Sequence, residues 1–247
     1  MIPRYRVTAL RMGRLTPGRA LLAGESGYVR ETTSPIWGAA IDGNGHRIVV
    51  DTGIADRAWV ENNVSPCSQE LDETIEGALR HIGWDPRGVD IVVNTHLHYD
   101  HCGGNRKFPN ARLYVSSGEW EFALTPTASQ AAIYDKSWLH GGLNYVSYQF
   151  TEENQEILSG ISVIMTPGHT PGHQSVLVNT DEGVLAIAGD AVQVVENVRP
   201  GKPPRMLQDP GQAVASIERI KMYADRFLAG HDNRIIKYQD RLFPFTK

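Results

Sequence analysis

The stretch Ile91-Val92-Val93-Asn94-Thr95-His96-Leu97-His98-Tyr99-Asp100-His101-Cys102-Gly103-Gly104 sets a short apolar run against a cluster of imidazoles and a carboxylate. Its first part, Ile91–Asn94, has the length and β-branched content of a buried strand. The second part has no structural purpose. Burying His96, His98, Asp100 and His101 without partners is costly, and a solvated loop has no need of the pattern. Imidazole and carboxylate are the donors that Zn²⁺ and related divalent ions take. Residues two apart on an extended strand end point the same way, so His96 and His98 can grip one ion. Asp100 and His101 lie where the chain turns and can face a second, after which Gly103-Gly104 lets the backbone leave tightly.

These donors are too few for two coordination spheres, so more are expected downstream in similar settings. His169 sits in Thr166-Pro167-Gly168-His169-Thr170 after the apolar run Ile161–Met165. Asp190 closes the run Val184-Leu185-Ala186-Ile187-Ala188-Gly189, and His231 lies in Ala229-Gly230-His231-Asp232. Each is a polar donor at a strand end beside a glycine, where loops can converge. The other histidines read differently. His46 falls in a hairpin turn and His81 at a helix end, both solvated. His173 shares the turn of His169 and suits a supporting place, and His140, in an aromatic segment, can approach a substrate.

Around these motifs, β-type runs recur at Tyr5–Leu10, Ile36–Ile41, Arg47–Val50, Arg112–Val115, Ser162–Met165, Ser175–Val178 and Val184–Ala188. Asp42-Gly43-Asn44-Gly45 and Asp181-Glu182-Gly183 read as hairpin turns. Helices are expected over Glu70–Ile82, with Leu71, Ile75, Ala78, Leu79 and Ile82 as the apolar stripe, over Gly118–Leu124, and over Pro210–Phe227, with Val214, Ile217 and Ile220 inward. Gly13–Pro35 and Thr125–Tyr148 resist assignment, and loops of that length are commonly functional. Strand clusters with helices between them suggest packed sheets with helices outside.

A net charge of −4 gives no global field for nucleic acid. The loosely spaced Arg4, Arg6, Arg11, Arg14 and Arg19 read as a solvated face. Two cysteines, Cys67 and Cys102, cannot make a disulfide framework. No signal peptide or membrane-length apolar run is visible, so the expectation is a cytoplasmic protein with no membrane or nucleic-acid partner. A homodimer is compatible with this reading.

Together, Asp51-Thr52-Gly53, His96-x-His98-x-Asp100-His101, Thr166-Pro167-Gly168-His169-Thr170-x-Gly172-His173, Gly189-Asp190 and Gly230-His231-Asp232 resemble the metallo-β-lactamase superfamily. The resemblance implies an α/β fold, a four-layer αβ/βα sandwich with metals at one edge, here as one domain over residues 1–247. Length and Gly230-His231-Asp232 look most like the quorum-quenching N-acyl homoserine lactonases and related small-lactone hydrolases. That pattern puts His96, His98 and His169 on one metal and Asp100, His101 and His231 on a second, with Asp190 bridging and Asp51 orienting ligands from behind. Many homoserine lactonases carry a tyrosine three residues after the bridging aspartate, where this chain has Gln193. An amide donates a hydrogen bond but not a proton. Gln193 is therefore a candidate oxyanion donor, and Tyr134, Tyr145 and Tyr223 are candidates for the proton.

The implied reaction is hydrolysis of a carboxylic ester, the opening of an N-acyl homoserine lactone or related cyclic ester by hydroxide generated at two divalent ions. Zinc is the first expectation, and Mn, Fe or Co suit the same donors. Asp100 would hold the nucleophile and carry its proton. Cys102 is read as packing. Glyoxalase II-type thioester hydrolysis, or attack on another ester or cyclic amide, is the alternative; glyoxalase II enzymes normally add a C-terminal helical domain, and little chain follows His231. A di-iron redox module is the non-enzymatic reading, though such sites usually replace a histidine with a carboxylate. β-Lactam hydrolysis is disfavoured by the missing secretory signal and by Asp100. Trp37, Trp138, Tyr134, Tyr145 and Phe150 are candidates for an apolar substrate pocket, with the core as the competing place for Trp37.

Overall fold

The computed structural model describes residues 2–16, 33–134, 148–200, 202–204, 206–235 and 243–244. Two sheets face each other. The first runs in the order β4 (Cys67–Ser68), β1 (Arg6–Leu15), β2 (Ser34–Gly43), β3 (His46–Val50), β5 (Ile91–Val93), β6 (Arg112–Ser116) and β7 (Tyr148–Thr151). The second runs β13 (Phe243–Pro244), β12 (Arg226–Leu228), β11 (Gly183–Ile187), β10 (Gln174–Thr180), β9 (Ile161–Met165) and β8 (Gln155–Leu158). Strands β3, β5, β6 and β7 are parallel, as are β11 and β12, and the remaining pairs are antiparallel.

Alternation along the strands builds the layers. Val7, Ala9, Trp37, Ala39, Ile41, Ile48, Val50, Ile91 and Val93 meet Val163, Val176, Val178, Leu185 and Ile187 between the sheets. On the other face of the first sheet, Leu10, Met12, Val49 and Val92 are covered by Val60 of α1 (Arg57–Asn63) and by Ile75, Ala78 and Leu79 of α2 (Ile75–His81). The outer face of the second sheet, with Ile164, Leu177, Ala186 and Phe227, packs on Ile217 and Ile220 of α5 (Pro210–Tyr223). This is the expected αβ/βα sandwich. Two short helices, α3 (Tyr99–Cys102) and α4 (Ser117–Leu124), follow β5 and β6. No helix among the described residues is long and apolar enough to cross a membrane.

Both hairpins form where turn chemistry places them, with Asn44 and Gly45 at φ 52° and 79° in the first and Gly183 closing the second. Several boundaries move. Helix α2 starts at Ile75, not Glu70, because Thr74 caps it by accepting from the Gly77 N–H. Leu71 thus precedes the helix and is 87% exposed. The last helix ends at Tyr223, and Arg226–Leu228 breaks away as a strand beside β11. Its buried stripe is Ala213, Ile217 and Ile220, which turns Val214 outward. Gly13–Leu15 and Ser34–Pro35, the two ends of a stretch that resists assignment from sequence, belong to β1 and β2. Arg4 and Arg6 make exposed ion pairs with Asp181 and Asp42. Arg11 does not join a solvated face, since the buried Glu73 carboxylate draws it in at 2.7 Å. Arg19 lies outside the described residues.

Candidate metal centre

The C-terminal ends of β3, β5, β9, β11 and β12 gather at one edge of the sandwich, and the loops that leave them carry the donors. After β5 the chain turns through Thr95 and His96, and His98 stands at the N-cap of α3, whose single turn holds Asp100 and His101. The exit needs glycine: a Cβ on Gly103 would lie 2.2 Å from the Ala55 nitrogen. His169 sits in a turn opened by Gly168 at φ 133°, packed against Ala213 of α5. Asp190 lies in the single turn Gly189–Ala191, and His231 follows β12.

These loops bring all seven sequence-selected donors together, every one buried. Three overlapping groups have the closeness a cation requires: His96, His98 and His169; His96, His101 and Asp190; Asp100, His101 and His231. The His98 Nδ1 lies 3.0 Å from both His96 Nε2 and His169 Nε2. Asp190 stands between the outer groups. Its Oδ2 is 3.3 Å from His169 Nε2, while Oδ1 is 3.3 Å from His101 Nε2 and 3.1 Å from His231 Nε2. Asp100 Oδ2 lies 3.6 Å from His101 Nε2 and 3.8 Å from His231 Nε2.

The outer partners fix which ring nitrogen carries each lone pair. Asp51 accepts from the Thr95 N–H, the Thr95 hydroxyl and His101 Nδ1. With its proton spent on Asp51, the Thr95 oxygen can only accept from His96 Nδ1. His169 Nδ1 donates to the Met206 carbonyl, and His231 Nδ1 donates to that of Pro35. Each of these four rings therefore holds its Nδ1 proton outward, so that in its neutral form the Nε2 lone pair faces inward. His98 is reversed: its Nε2 meets Gln130 Oε1 and its Nδ1 faces the centre. His173 accepts from the Asp190 N–H at Nε2 and bonds Thr166 through Nδ1, so it has no lone pair to offer.

The electrostatics follow. Burial, then neighbouring imidazoles, hold His96 well below its ordinary pKa. Burial likewise lowers His98 and His169 and takes His173 down to about 3. Burial also opposes charge on His101 and His231, but nearby carboxylates outweigh it, Asp100 and Asp51 at the former and Asp190 at the latter, and raise both. Asp190 is held well below the usual carboxylate range by His231, His169 and His101, against the effect of its burial.

Other sequence candidates fall in varied places. Gln193 is buried, with its Nε2 donating to Asp190 Oδ2 at 2.8 Å. The Tyr134 hydroxyl donates to Glu119, although its ring stands edge-on to His98. Tyr223 is half exposed at the end of α5. Trp37 is core, with its indole N–H on the Asp232 carbonyl. Phe150 is exposed on β7 beside Trp120. His46 and His81 lie toward the surface near Asp90 and Asp72. Cys102 packs among Leu97, Val115, Ala123 and Tyr134. Trp138, His140 and Tyr145 lie outside the described residues. Sequence reading missed Gln130, and also Glu119, a buried carboxylate accepting from the Leu97 N–H, the Tyr134 hydroxyl and the Thr170 hydroxyl. A cleft of about 360 Å³ opens onto the centre, reaching His98, Asp100, His169, Asp190, Gln193 and His231. Leu15, Val64, Tyr99, Ile133 and Met206 form its apolar wall.

The donor set fits a divalent metal. His101 Nε2 and Asp190 Oδ1 are buried without a hydrogen-bond partner among the described residues. The lone pairs of His96, His98 and His169 point at one another with no proton assigned between them, an arrangement a cation relieves. Residues 34–231 match the profile of the metallo-beta-lactamase superfamily. An N-acyl homoserine lactonase of Bacillus thuringiensis is 30% identical over 233 residues, covering 88% of this chain and 85% of that protein. The N-acyl homoserine lactonase AttM of Agrobacterium fabrum is 31% identical over 216 residues, 81% of this chain and 79% of that one. A solved N-acyl homoserine lactone hydrolase with N-hexanoyl-L-homoserine at its catalytic metal centre has a TM-score of 0.80 and 25% identity, covering 94% of this chain and 95% of that one.

Proposed function

The chain belongs to the metallo-β-lactamase superfamily and is a metal-dependent hydrolase, and from that premise we propose that it opens lactone rings, of N-acyl homoserine lactones or related small cyclic esters, with two divalent cations. The observation that carries the two-cation reading is the Asp190 carboxylate, which offers one oxygen to His169 and the other to His101 and His231. One cation would be held by His96, His98 and His169 and the other by Asp100, His101 and His231, with Asp190 offering a carboxylate oxygen toward each. Zinc suits this nitrogen and oxygen set, and Mn, Fe and Co accept the same donors. Such cations supply Lewis acidity and bring the pKa of water down to about 7.

The chain's own residues do the rest. Asp100 borders both the donors and the cleft, where its carboxylate can take a proton from attacking water and return it to the alkoxide as the ring opens. Gln193 commits one N–H to Asp190 and holds that carboxylate square to both donor groups. The apolar wall of Leu15, Val64, Tyr99, Ile133 and Met206 suits an acyl chain, and the relatives named above act on lactones that carry one. The test is a panel of N-acyl homoserine lactones, other lactones, linear esters and thioesters on protein of measured metal content. Lactone hydrolysis that is lost with chelator and regained with metal is expected. Hydrolysis of thioesters or aryl esters without any lactone activity would overturn the substrate class.

A further inference from the structure

Gln130 belongs to no motif and precedes the single turn Ala131–Ile133, yet it is buried against the centre. Its Nε2 donates to the His169 carbonyl at 2.9 Å. A carbonyl only accepts, so the amide nitrogen must be the atom turned toward it. The amide oxygen is then the atom 3.1 Å from His98 Nε2, and it too only accepts. His98 must carry its proton on Nε2, which leaves the Nδ1 lone pair facing His96 and His169. His98 is the exception among the five rings, and Gln130 is the group that makes it so. The same amide ties the His98 ring to the backbone of His169, two donors that lie far apart in the chain. Tyr134, edge-on to His98 with centroids 4.8 Å apart, blocks the ring from tilting away.

We propose that Gln130 is a positioning residue which selects the Nδ1-presenting tautomer of His98 and sets the spacing of His98 and His169, thereby controlling metal affinity at the three-histidine group and not at the group of Asp100, His101 and His231. This rests on the two-cation reading but not on the identity of the substrate. The first measurement is ¹⁵N–¹H correlation of the histidine rings in metal-free protein. His98 is expected to be protonated at Nε2, and a parent protein with His98 protonated at Nδ1 overturns the proposal whatever any variant does. In Gln130→Met, which removes both hydrogen bonds at similar volume, His98 should populate the other tautomer. Stepwise titration with Co²⁺ should then show one equivalent bound about 10–100-fold more weakly, with the other within about twofold of the parent. Gln130→Glu keeps the acceptor for His98 but not the donor to the His169 carbonyl, so it should retain the Nε2–H tautomer and recover only part of the lost affinity. Loss of that tautomer in Gln130→Glu would refute selection by the acceptor oxygen. An unchanged tautomer in Gln130→Met, or an equal fall at both equivalents, would show a merely structural amide and refute the assignment. None of these readouts uses a lactone, so failure of the substrate reading would appear only in the hydrolysis panel.

Discussion

Asp51 gives the sharpest test of the ring of acceptors behind the centre. It is buried and accepts from the Thr95 N–H at 2.8 Å, the Thr95 hydroxyl at 2.8 Å and His101 Nδ1 at 2.7 Å. Its φ of 60° is one that asparagine also tolerates, so Asp51→Asn changes the polarity and little else. A carboxylate only accepts, whereas an amide must turn N–H groups toward one of its neighbours. If they face the Thr95 N–H, two donors oppose each other and a hydrogen bond to a charged group is lost, at about 1.5–3 kcal/mol. If they face the Thr95 hydroxyl and His101, the His101 ring must accept at Nδ1 and carry its proton on Nε2, where a metal ligand needs a lone pair. Loss of the negative charge also lets His101 shed its proton more readily, which favours metal. The tautomer effect outweighs this, because a protonated Nε2 is no ligand at all. The expected outcome is metal binding weakened about 10–100-fold, equivalent to roughly 1.4–2.7 kcal/mol, with metal-free stability in urea lower by about 1.5–3 kcal/mol. Calorimetric metal titration and urea unfolding of chelator-treated protein read the two separately. A variant that matched the parent in both would show that Asp51 does not govern His101.

Other perturbations probe different parts of the site. Gln193→Ala removes the N–H on Asp190, so metal affinity should fall by the worth of one charge-assisted hydrogen bond, about 1.5–3 kcal/mol; a drop in kcat at unchanged metal affinity would place the amide on the substrate instead. Gly172→Ala puts a Cβ 1.9 Å from the Glu119 nitrogen and should cost about 1–3 kcal/mol in urea unfolding, because the loop carrying His169 must back away from α4; wild-type stability would mean the contact is soft. Acidifying metal-free protein from pH 7.5 to 5.5 should lower its urea midpoint. Groups whose folded pKa is depressed, here His96, His98, His169 and His173, give stability that is full above their unfolded value near ~6.5 and is lost as pH falls toward the folded one. His173, at about 3 when folded, withdraws roughly 1.4 kcal/mol per unit through that window. His101 and His231 are raised and act oppositely, but they are fewer, so a midpoint that rose on acidification would contradict the assigned charge states.

The donors were legible because each is a polar residue beside a strand end with no structural reason to be there. Their outer partners were not. His169 and His231 lean on the carbonyls of Met206 and Pro35, and any residue at those positions supplies a carbonyl, so no side-chain signal exists. Gln130 lies in a stretch without periodicity, and only the fold reveals that it touches two of the candidate donors, His98 and His169. Asp51 could be read because its loop has a recognisable sequence. The same division runs through the fold. Strand interiors announced themselves by apolar runs, whereas boundaries depended on single caps. Thr74 decides where α2 begins and strands Leu71 in solvent. Phe227 is apolar and reads as the end of the last helix, yet it pairs with Ala186 as part of a strand.

The cleft was the least legible feature, for a physical reason. Aromatic side chains are natural candidates for a pocket because of their area, but area alone drives burial anywhere. Trp37 satisfies it between the sheets with its N–H on Asp232, and Phe150 lies outside the cleft against Trp120. The wall is instead assembled from Leu15 at the end of β1, Val64 after α1, Ile133 beside Gln130, and Met206 ahead of α5. Each is an ordinary aliphatic residue in its own segment, and only the convergence of four connections makes them one wall. Tyr99 stands inside the donor run itself, between His98 and Asp100. It lines the cleft next to Asp100 and stacks obliquely on Trp59. Tyr99→Ala should therefore raise KM for long-chain N-acyl homoserine lactones more than for short-chain ones and leave metal content unchanged. Equal effects on both chain lengths would move the acyl-binding wall away from Tyr99.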